Sequence, residues 1–422
     1  MATTLAHYTI KPIIKKDTNE KPVLNIPVIS DAIKIIDSRQ IKDFKDQTFG
    51  GYKLSQASGA LDKAILEDKI EPALHWTLQL FLSGIMAPLW SKFLSIASKS
   101  INIYNPKLPE FLYNKTKQWD AIVDNGKFTK DNILLLRNHP SVRLLLAEMV
   151  CVLCLSRKRK LNQLPRIKKE EFIIDNFKSK LEATDNRLIA DICIDGDPSE
   201  IRIAVNEMAT HIANSKSTKA LYWLNWIIEW EKVNSKKYGK YECGMRAIEG
   251  VDGKYFKDVV WLIWGVINKI CQNKFNISLG LGNQVQYLYK MYINKFTPGS
   301  RSRKQNLIVW AILYMTETID NAVALVDRPQ ILFQSMLGMD KIVMNLKSQE
   351  VHHVVNNDLV NVVVENNYMK PETYKDLEAR QLALKKDKER QEKELLAKKK
   401  NINVHSMVKL NDMYKLDRMM YS

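Results

Sequence analysis

The chain has 422 residues, of which 45% are hydrophobic and 26% charged, which is the composition of a folded protein of two or three domains. That composition excludes a wholly disordered chain, and 15 Gly and 13 Pro exclude collagen-like and glycine-rich architectures. Lys and Arg total 64 against 47 Asp and Glu. The resulting net charge of +17 favours an acidic partner such as nucleic acid or an anionic surface.

Residues 1–55 mix β-branched runs with several prolines, which excludes one continuous helix and predicts an irregular, extended N-terminal arm. Over residues 56–155, apolar side chains recur at helical spacing, and this stretch is predicted to be a first helical domain. Residues 156–171 break this periodicity and accumulate positive charge. They are predicted to form a basic linker or loop.

Residues 172–350 are predicted to form a second helical domain that is rich in Trp. Its predicted helices span residues 185–195, 198–214, 217–235, 255–273, 281–296, 303–325 and 329–347. The aromatic side chains of Tyr222, Trp223, Trp226 and Trp230 recur at near-helical spacing. This pattern favours packing in a core over a stacking platform for bases.

The C-terminal part of the chain divides into three stretches. Residues 351–368 are β-branched and fit either a strand or a poor helix, and both alternatives stay open. Residues 369–400 combine strong helix formers with opposite charges four positions apart, which predicts a long, charged, solvated helix rather than a coiled coil. Residues 401–422 form a basic tail. The predicted fold class is all-α, with two helical domains between the arm and the charged helix.

Five cysteines are an odd number and too sparse for a disulfide framework, which favours a reducing compartment. The N-terminus lacks a basic segment followed by an apolar one, and the apolar runs at 78–90 and 144–155 are shorter than the ~20 residues that cross a bilayer. We therefore expect an intracellular protein that is neither secreted nor held in a membrane.

No combination of residues predicts catalysis, a cofactor or a metal site. Cys151 and Cys154 have the spacing of a zinc or redox pair, but their apolar neighbours and the lack of a second pair predict packing in a helix. The carboxylates of Asp195, Asp197 and Glu200 suit a divalent cation, but this pattern is more typical of a helix N-cap. A phosphate-binding glycine loop is also missing, so the chain is predicted not to be an enzyme.

Two basic clusters are candidate phosphate contacts, because Lys and Arg side chains neutralise phosphates in nucleic-acid complexes. A solvated loop without a partner explains the same residues equally well. The candidate nucleic-acid contacts are Arg157, Lys158, Arg159, Lys160, Arg166, Lys168, Lys169, Arg301, Arg303 and Lys304.

Residues 48–108 contain a series of small-residue and tryptophan motifs: Ala73-Leu-His-Trp76, Ser83-Gly84, Leu89-Trp90 and Ile96-Ala-Ser98. They resemble the helical C-terminal collar module of clamp-loader-like AAA+ ATPases of the Werner-helicase-interacting, recombination-associated kind. Stand-alone phage and giant-virus proteins that lack the ATPase domain carry the same signature. The family has an acidic pair where this chain has Lys99-Ser100, and an arginine pair where it has Leu66-Glu67. The positions that carry the resemblance, as packing residues, are Ala73, Trp76, Ser83, Gly84, Trp90, Ala97 and Ser98.

The resemblance implies helices that form oligomers or dock partners, without motor activity. The predicted function is therefore a non-enzymatic accessory protein of viral DNA replication or recombination. We expect it to form homo-oligomers through the collar-like helices and to contact DNA phosphates with its basic loops. The alternative is a virion structural or scaffold protein that binds other proteins through its basic surfaces and its C-terminal helix.

Overall fold

The computed structural model describes residues 31–159, 164–275 and 280–351. Within these ranges the chain forms thirteen α-helices and no β-strand, so the predicted all-α fold class is confirmed. The helices are α1 Leu54–Leu66, α2 Ile70–Leu82, α3 Met86–Ile96, α4 Leu108–Asn125, α5 Pro140–Leu155, α6 Ile174–Lys178, α7 Ser199–Ala213, α8 Ser217–Tyr238, α9 Val260–Lys274, α10 Gly280–Ile293, α11 Pro298–Thr316, α12 Pro329–Leu337 and α13 Met339–Lys347.

The predicted helix at 185–195 is wrong, because tertiary hydrogen bonds hold this stretch in turns. The N–H of Ile194 donates to the carboxylate of Asp197 (2.9 Å), and Arg246 Nη2 donates to the carbonyl of Ile192 (3.0 Å). These groups are then no longer available to a helical ladder. The predicted helix at 303–325 starts earlier and stops at Thr316, and the one at 329–347 is divided by Gly338.

Helices predicted for two separate domains pack directly against each other. α4 lies along α10, α3 contacts α11, and α12 covers α5. At the first of these contacts the Glu110 N–H donates to Gln284 Oε1 (3.0 Å), and the rings of Tyr113 and Tyr287 have centroids 5.1 Å apart. The buried apolar side chains form one continuous cluster, so the described helices share one core.

The hairpin of α1 and α2 recurs in the hairpin of α7 and α8. Each turn contains one non-glycine residue in the left-handed region, Asp68 (φ 59°) in the first and Ser215 (φ 55°) in the second. The next N–H donates back into the preceding helix in both turns, from Lys69 to the Ala64 carbonyl (2.9 Å) and from Lys216 to the His211 carbonyl (2.8 Å). Both second helices then carry Ala-Leu-x-Trp, so the two hairpins are built in the same way.

The recurrence extends over five helices. In both sets the first, second and fourth helices pack on the fifth. These contacts are α1, α2 and α4 on α5, and α7, α8 and α10 on α11. We call α1 to α5 the first module and α7 to α11 the second module. A lysine ammonium links the hairpin turn to the end of the fifth helix in each. Lys158 binds Asp68 and the Cys154 carbonyl, and Lys274 binds Ser215 Oγ (3.0 Å) and the Met315 carbonyl (2.8 Å).

A chain segment that precedes each module lies over its second helix. In the first module, the N–H of Phe49 donates to Ser83 Oγ (2.7 Å), directly after the end of α2. In the second module, Trp226 Nε1 donates to the Glu171 carbonyl (3.3 Å), and the Phe172 ring lies 5.4 Å from that of Trp226. The Gly50 N–H also donates to Gln79 Oε1 (2.8 Å), and Gln79 stands in α2 where Trp226 stands in α8, three residues after the Trp of Ala-Leu-x-Trp. Each module therefore has an upstream arm on the same side of the hairpin.

The described part of the predicted N-terminal arm contains one short 3-10 turn, Ile41–Phe44, before α1 begins. The predictions for residues 1–30, for the uncertain stretch beyond Val351, for the charged helix at 369–400 and for the basic tail lie outside the described residues. None of the helices that the structure describes combines the length and apolar character needed to span a membrane.

Candidate nucleic-acid interface

The segment that joins the two modules exposes several cations. The side chain of Arg157 is 65% exposed and lies 3.8 Å from the Asp327 carboxylate, which is a loose pair. Arg166, Lys168 and Lys169 are also exposed, and no carboxylate of the described chain lies within ion-pair distance of them. Their charges are therefore neutralised mainly by solvent and counterions, and they are available to a phosphate.

The backbone of this segment is held in place although its cations are exposed. Asn225 Nδ2 on α8 donates to the Pro165 carbonyl (2.9 Å), and the Lys168 N–H donates to Glu171 Oε1 (3.0 Å). Tyr222 also donates its hydroxyl hydrogen to Glu171 (2.5 Å). The second module thus fixes the position from which the three cations project.

Arg159 and Lys158 differ in what holds them. The guanidinium of Arg159 lies over the Tyr104 ring, 5.3 Å from its centroid, and the Arg159 N–H donates to the Ser100 carbonyl (2.7 Å), which leaves an exposed cation beside an aromatic ring. The ammonium of Lys158 instead donates hydrogen bonds to Asp68 and to carbonyls at the end of α5. Lys160 lies outside the described residues.

Arg301 and Lys304 lie in the first two turns of α11, and both point into the fold. Arg301 Nη1 donates to Glu231 (2.7 Å) and lies 3.2 Å from Asp258. Although burial disfavours its charge, the hydrogen bonds to Glu231 and the attraction of Asp258 raise the pKa of Arg301 above its usual value. Arg301 is therefore held by two carboxylates inside the fold and does not belong to the exposed cations.

Lys304 has a similar structural role at the end of α10. Its ammonium donates to the carbonyls of Tyr292 (3.1 Å) and Asn294, where the helix has no further N–H groups to offer them. Burial lowers the pKa of Lys304 to about 8. Arg303, between the two, is exposed and has no carboxylate partner in the described ranges. No described contact joins it to the segment at 157–169.

The positions that carry the collar resemblance lie in α2, α3 and the turns that follow them. Ala73, Ser83, Ala97 and Ser98 are buried, whereas Trp76 and Trp90 are half-buried. The ring of Trp76 lies 5.0 Å from Tyr52, and that of Trp90 lies 5.7 Å from Trp119. Gly84 has φ 76°, and a β-carbon there would meet the Leu134 side chain at 2.9 Å.

The carboxylate of Asp197 does not cap α7, contrary to the predicted N-cap. It accepts hydrogen bonds from the N–H groups of Ile194 (2.9 Å) and Gly244 (2.9 Å), and it pairs with Arg246 (2.6 Å). Burial opposes this charge, but the hydrogen bonds from Arg246 and the backbone hold the pKa of Asp197 below its usual value. The described ranges contain no group of three His, Cys, Asp or Glu side chains that would hold a metal ion.

Two packing predictions are confirmed by burial. Trp223 and Trp226 are buried in the second module, as expected of core residues rather than a stacking platform, whereas Tyr222 and Trp230 are half-buried. Cys151 and Cys154 are buried in α5, and burial raises the pKa of both thiols to about 12. Neither thiol is available as a thiolate at neutral pH.

The sequence contains a signal for the repeated hairpin but none for the contact between Tyr104 and Arg159. Ala-Leu-x-Trp occurs at Ala73–Trp76 and again at Ala220–Trp223, which marks the repeated hairpin. Tyr104 follows α3 closely, and nothing in the local pattern shows that it meets Arg159 across the fold.

No protein-family model, no curated protein and no solved structure matches this chain. The candidate interface therefore depends on the geometry and charge of its own residues.

Proposed function

We propose that the chain is a non-enzymatic nucleic-acid-binding protein, and that its contact surface is a basic strip formed by Arg157, Arg159, Arg166, Lys168 and Lys169. The observation that carries the proposal is that Arg166, Lys168 and Lys169 are exposed and have no carboxylate partner in the described chain, although their backbone is anchored. Side chains held ready in this way bind phosphates with little additional ordering.

The distribution of these cations suits a nucleic-acid backbone better than a small anion. They lie on the described stretches 157–159 and 166–169, and a polymer with regularly spaced phosphates can meet cations spread in this way at several points. Arg159 on Tyr104 adds an aromatic face of the kind that stacks on bases in single strands. We propose binding with little sequence preference, because phosphate contacts carry no base readout.

The role in DNA replication or recombination, and the assembly into homo-oligomers, rest on the resemblance of the first module to the collar module. In this proposal the collar-like helices bring copies of the chain or partner proteins together, and the basic strip holds them on DNA.

The experiment is fluorescence anisotropy of labelled single- and double-stranded DNA across a salt series, with sedimentation in parallel to measure assembly. For duplex DNA, neutralising five phosphates gives a slope of log K against log salt of about −4 to −5. The triple variant R166A/K168A/K169A is expected to reduce the magnitude of that slope by about 3, since each lost contact removes about 0.9.

A matched control is K130A/K236A/K341A, which removes the same charge from exposed lysines elsewhere on the described surface. The control should keep most of the salt slope. Equal losses from the two triples would show that total charge, and not the basic strip, governs binding. No binding at low salt would reject the nucleic-acid role and favour the scaffold alternative.

A further inference from the structure

An apolar groove with a volume of about 370 Å³ lies between the first turns of α5 and the helices α12 and α13. Its walls include Ile33, Leu144, Phe333 and Met336. Leu144 is 52% exposed and Phe333 is 62% exposed. This is unusual for two large apolar residues that line the same groove. An apolar groove of this kind is stabilised when a further apolar segment covers it.

Arg143 adds a polar feature to the same groove. Its Nη2 donates to the Ile33 carbonyl (2.9 Å) and its Nε to the Arg137 carbonyl (2.8 Å). The buried Nη1 has no acceptor among the described residues. A buried donor without an acceptor is costly in a folded protein, so the described residues alone leave this wall of the groove incompletely satisfied.

The N-terminal arm enters the described structure beside this groove. Lys347 on α13 donates to the carbonyl of Asp31 (2.6 Å), and the side chain of Ile33 already forms part of the wall. Immediately upstream the sequence is Val23-Leu-Asn-Ile-Pro-Val-Ile29. An extended chain covers roughly 3.3–3.6 Å per residue, so Ile29 is about 13–14 Å at most from Ile33 and is within reach of the whole groove.

The second module shows how such an arm is used elsewhere in this chain. Its upstream arm places Phe172 and Phe177 against the tryptophans of α8, with Phe177 4.9 Å from Trp226. An upstream apolar segment thus completes the core of one module. In the first module the segment at Phe49 already covers the end of α2, and the apolar residues further upstream lead instead to the open groove at α5.

We propose that residues 23–30 bind in this groove as an extended segment. Their apolar side chains cover Leu144 and Phe333. Pro27 suits this role, because proline favours extended backbone and excludes a helix. The inference concerns the arm alone and does not depend on nucleic-acid binding.

The test is hydrogen–deuterium exchange of the full-length chain, followed at residues 20–32. We expect exchange at 23–30 to be at least about tenfold slower than in an unstructured peptide of the same sequence. In L144D/F333D, exchange at 23–30 should rise to the unstructured rate while the helices keep their protection. The matched control I203D/V233D places the same charges on exposed apolar positions of α7 and α8 and should leave the arm protected.

The reciprocal variant I26D/I29D places the charges on the arm instead of the groove. It is expected to abolish protection at 23–30 and to leave the helices protected, so a folding defect in the groove variant does not decide the outcome. Exchange at the unstructured rate in the unmodified chain would overturn the proposal. Protection of the arm that survives in L144D/F333D would also overturn it. Protection of the groove that depends on protein concentration would overturn it as well, because it would show that a second copy of the chain occupies the groove.

Discussion

The first and second modules share one packing scheme but differ in the charge that follows their fifth helix. α5 is followed by Arg157-Lys-Arg159, whereas α11 is followed by Glu317-Thr-Ile-Asp320. The ammonium that joins the hairpin turn to the fifth helix also comes from different places, since Lys158 follows α5 and Lys274 ends α9. Both modules therefore have a lysine between the hairpin turn and the fifth helix, although the two lysines stand at different positions along their modules. The charge that follows the fifth helix thus differs in sign between the modules, and the basic one belongs to the proposed interface.

The largest expected effect on the free energy of unfolding distinguishes Arg301 from Arg303, two cations of α11. Replacing Arg301 by Ala leaves Glu231 and Asp258 buried without their partner, and we expect the free energy of unfolding to fall by about 3–5 kcal/mol. Replacing the exposed Arg303 by Ala should change it by less than about 0.5 kcal/mol. Urea unfolding of both variants measures the difference, and similar values for the two would contradict the structural role of Arg301.

An intermediate effect tests the equivalence of the two lysines. K158A and K274A each remove hydrogen bonds from an ammonium to the end of a fifth helix, and each should lower the free energy of unfolding by about 1–2 kcal/mol. K158A should also leave the salt slope of DNA binding unchanged, because Asp68 and carbonyls already engage this cation. A reduced slope in K158A, with unchanged stability, would return Lys158 to the nucleic-acid contacts.

The smallest effect concerns a histidine that the first module lacks. His211 is buried at the position where the first module has Ala64. Burial lowers the pKa of His211, and the positive charges of Lys216 and Lys219 lower it further. The negative charges of Glu182 and Glu207 act in the opposite direction.

Because the folded state binds the proton on His211 less tightly than the unfolded state, stability should fall as pH drops below about 6.5. A single group of this kind contributes at most about 1.4 kcal/mol per pH unit. H211A should reduce this slope between pH 7 and pH 5 in urea unfolding. An unchanged slope would show that other groups carry the acid sensitivity.

Apolar periodicity was sufficient to predict the helices whose partners are close in sequence. α7 and α8 match their predictions within a few residues, because each has an apolar face and a short turn between them. The prediction of a helix at 185–195 is wrong because Arg246, far along the chain, donates to the carbonyl of Ile192. Local propensity carries no information about such a partner.

The candidate site was harder to predict than the fold. Arg301 and Arg303 look equivalent in the sequence, but only the first finds two carboxylates, on segments that are remote along the chain. The repeat was also missed, since the two hairpins share little beyond Ala-Leu-x-Trp and their main-chain hydrogen bonds. Which cations are free is settled by packing and not by composition.

The contact between α4 and α10 joins the two modules within a single polypeptide. Since both halves are covalently tethered, their association is unimolecular, and dilution does not separate them. Such a pair behaves as a permanent heterodimer with fixed stoichiometry. Each half can then change its surface without having to match an identical copy of itself, as a symmetric homodimer must.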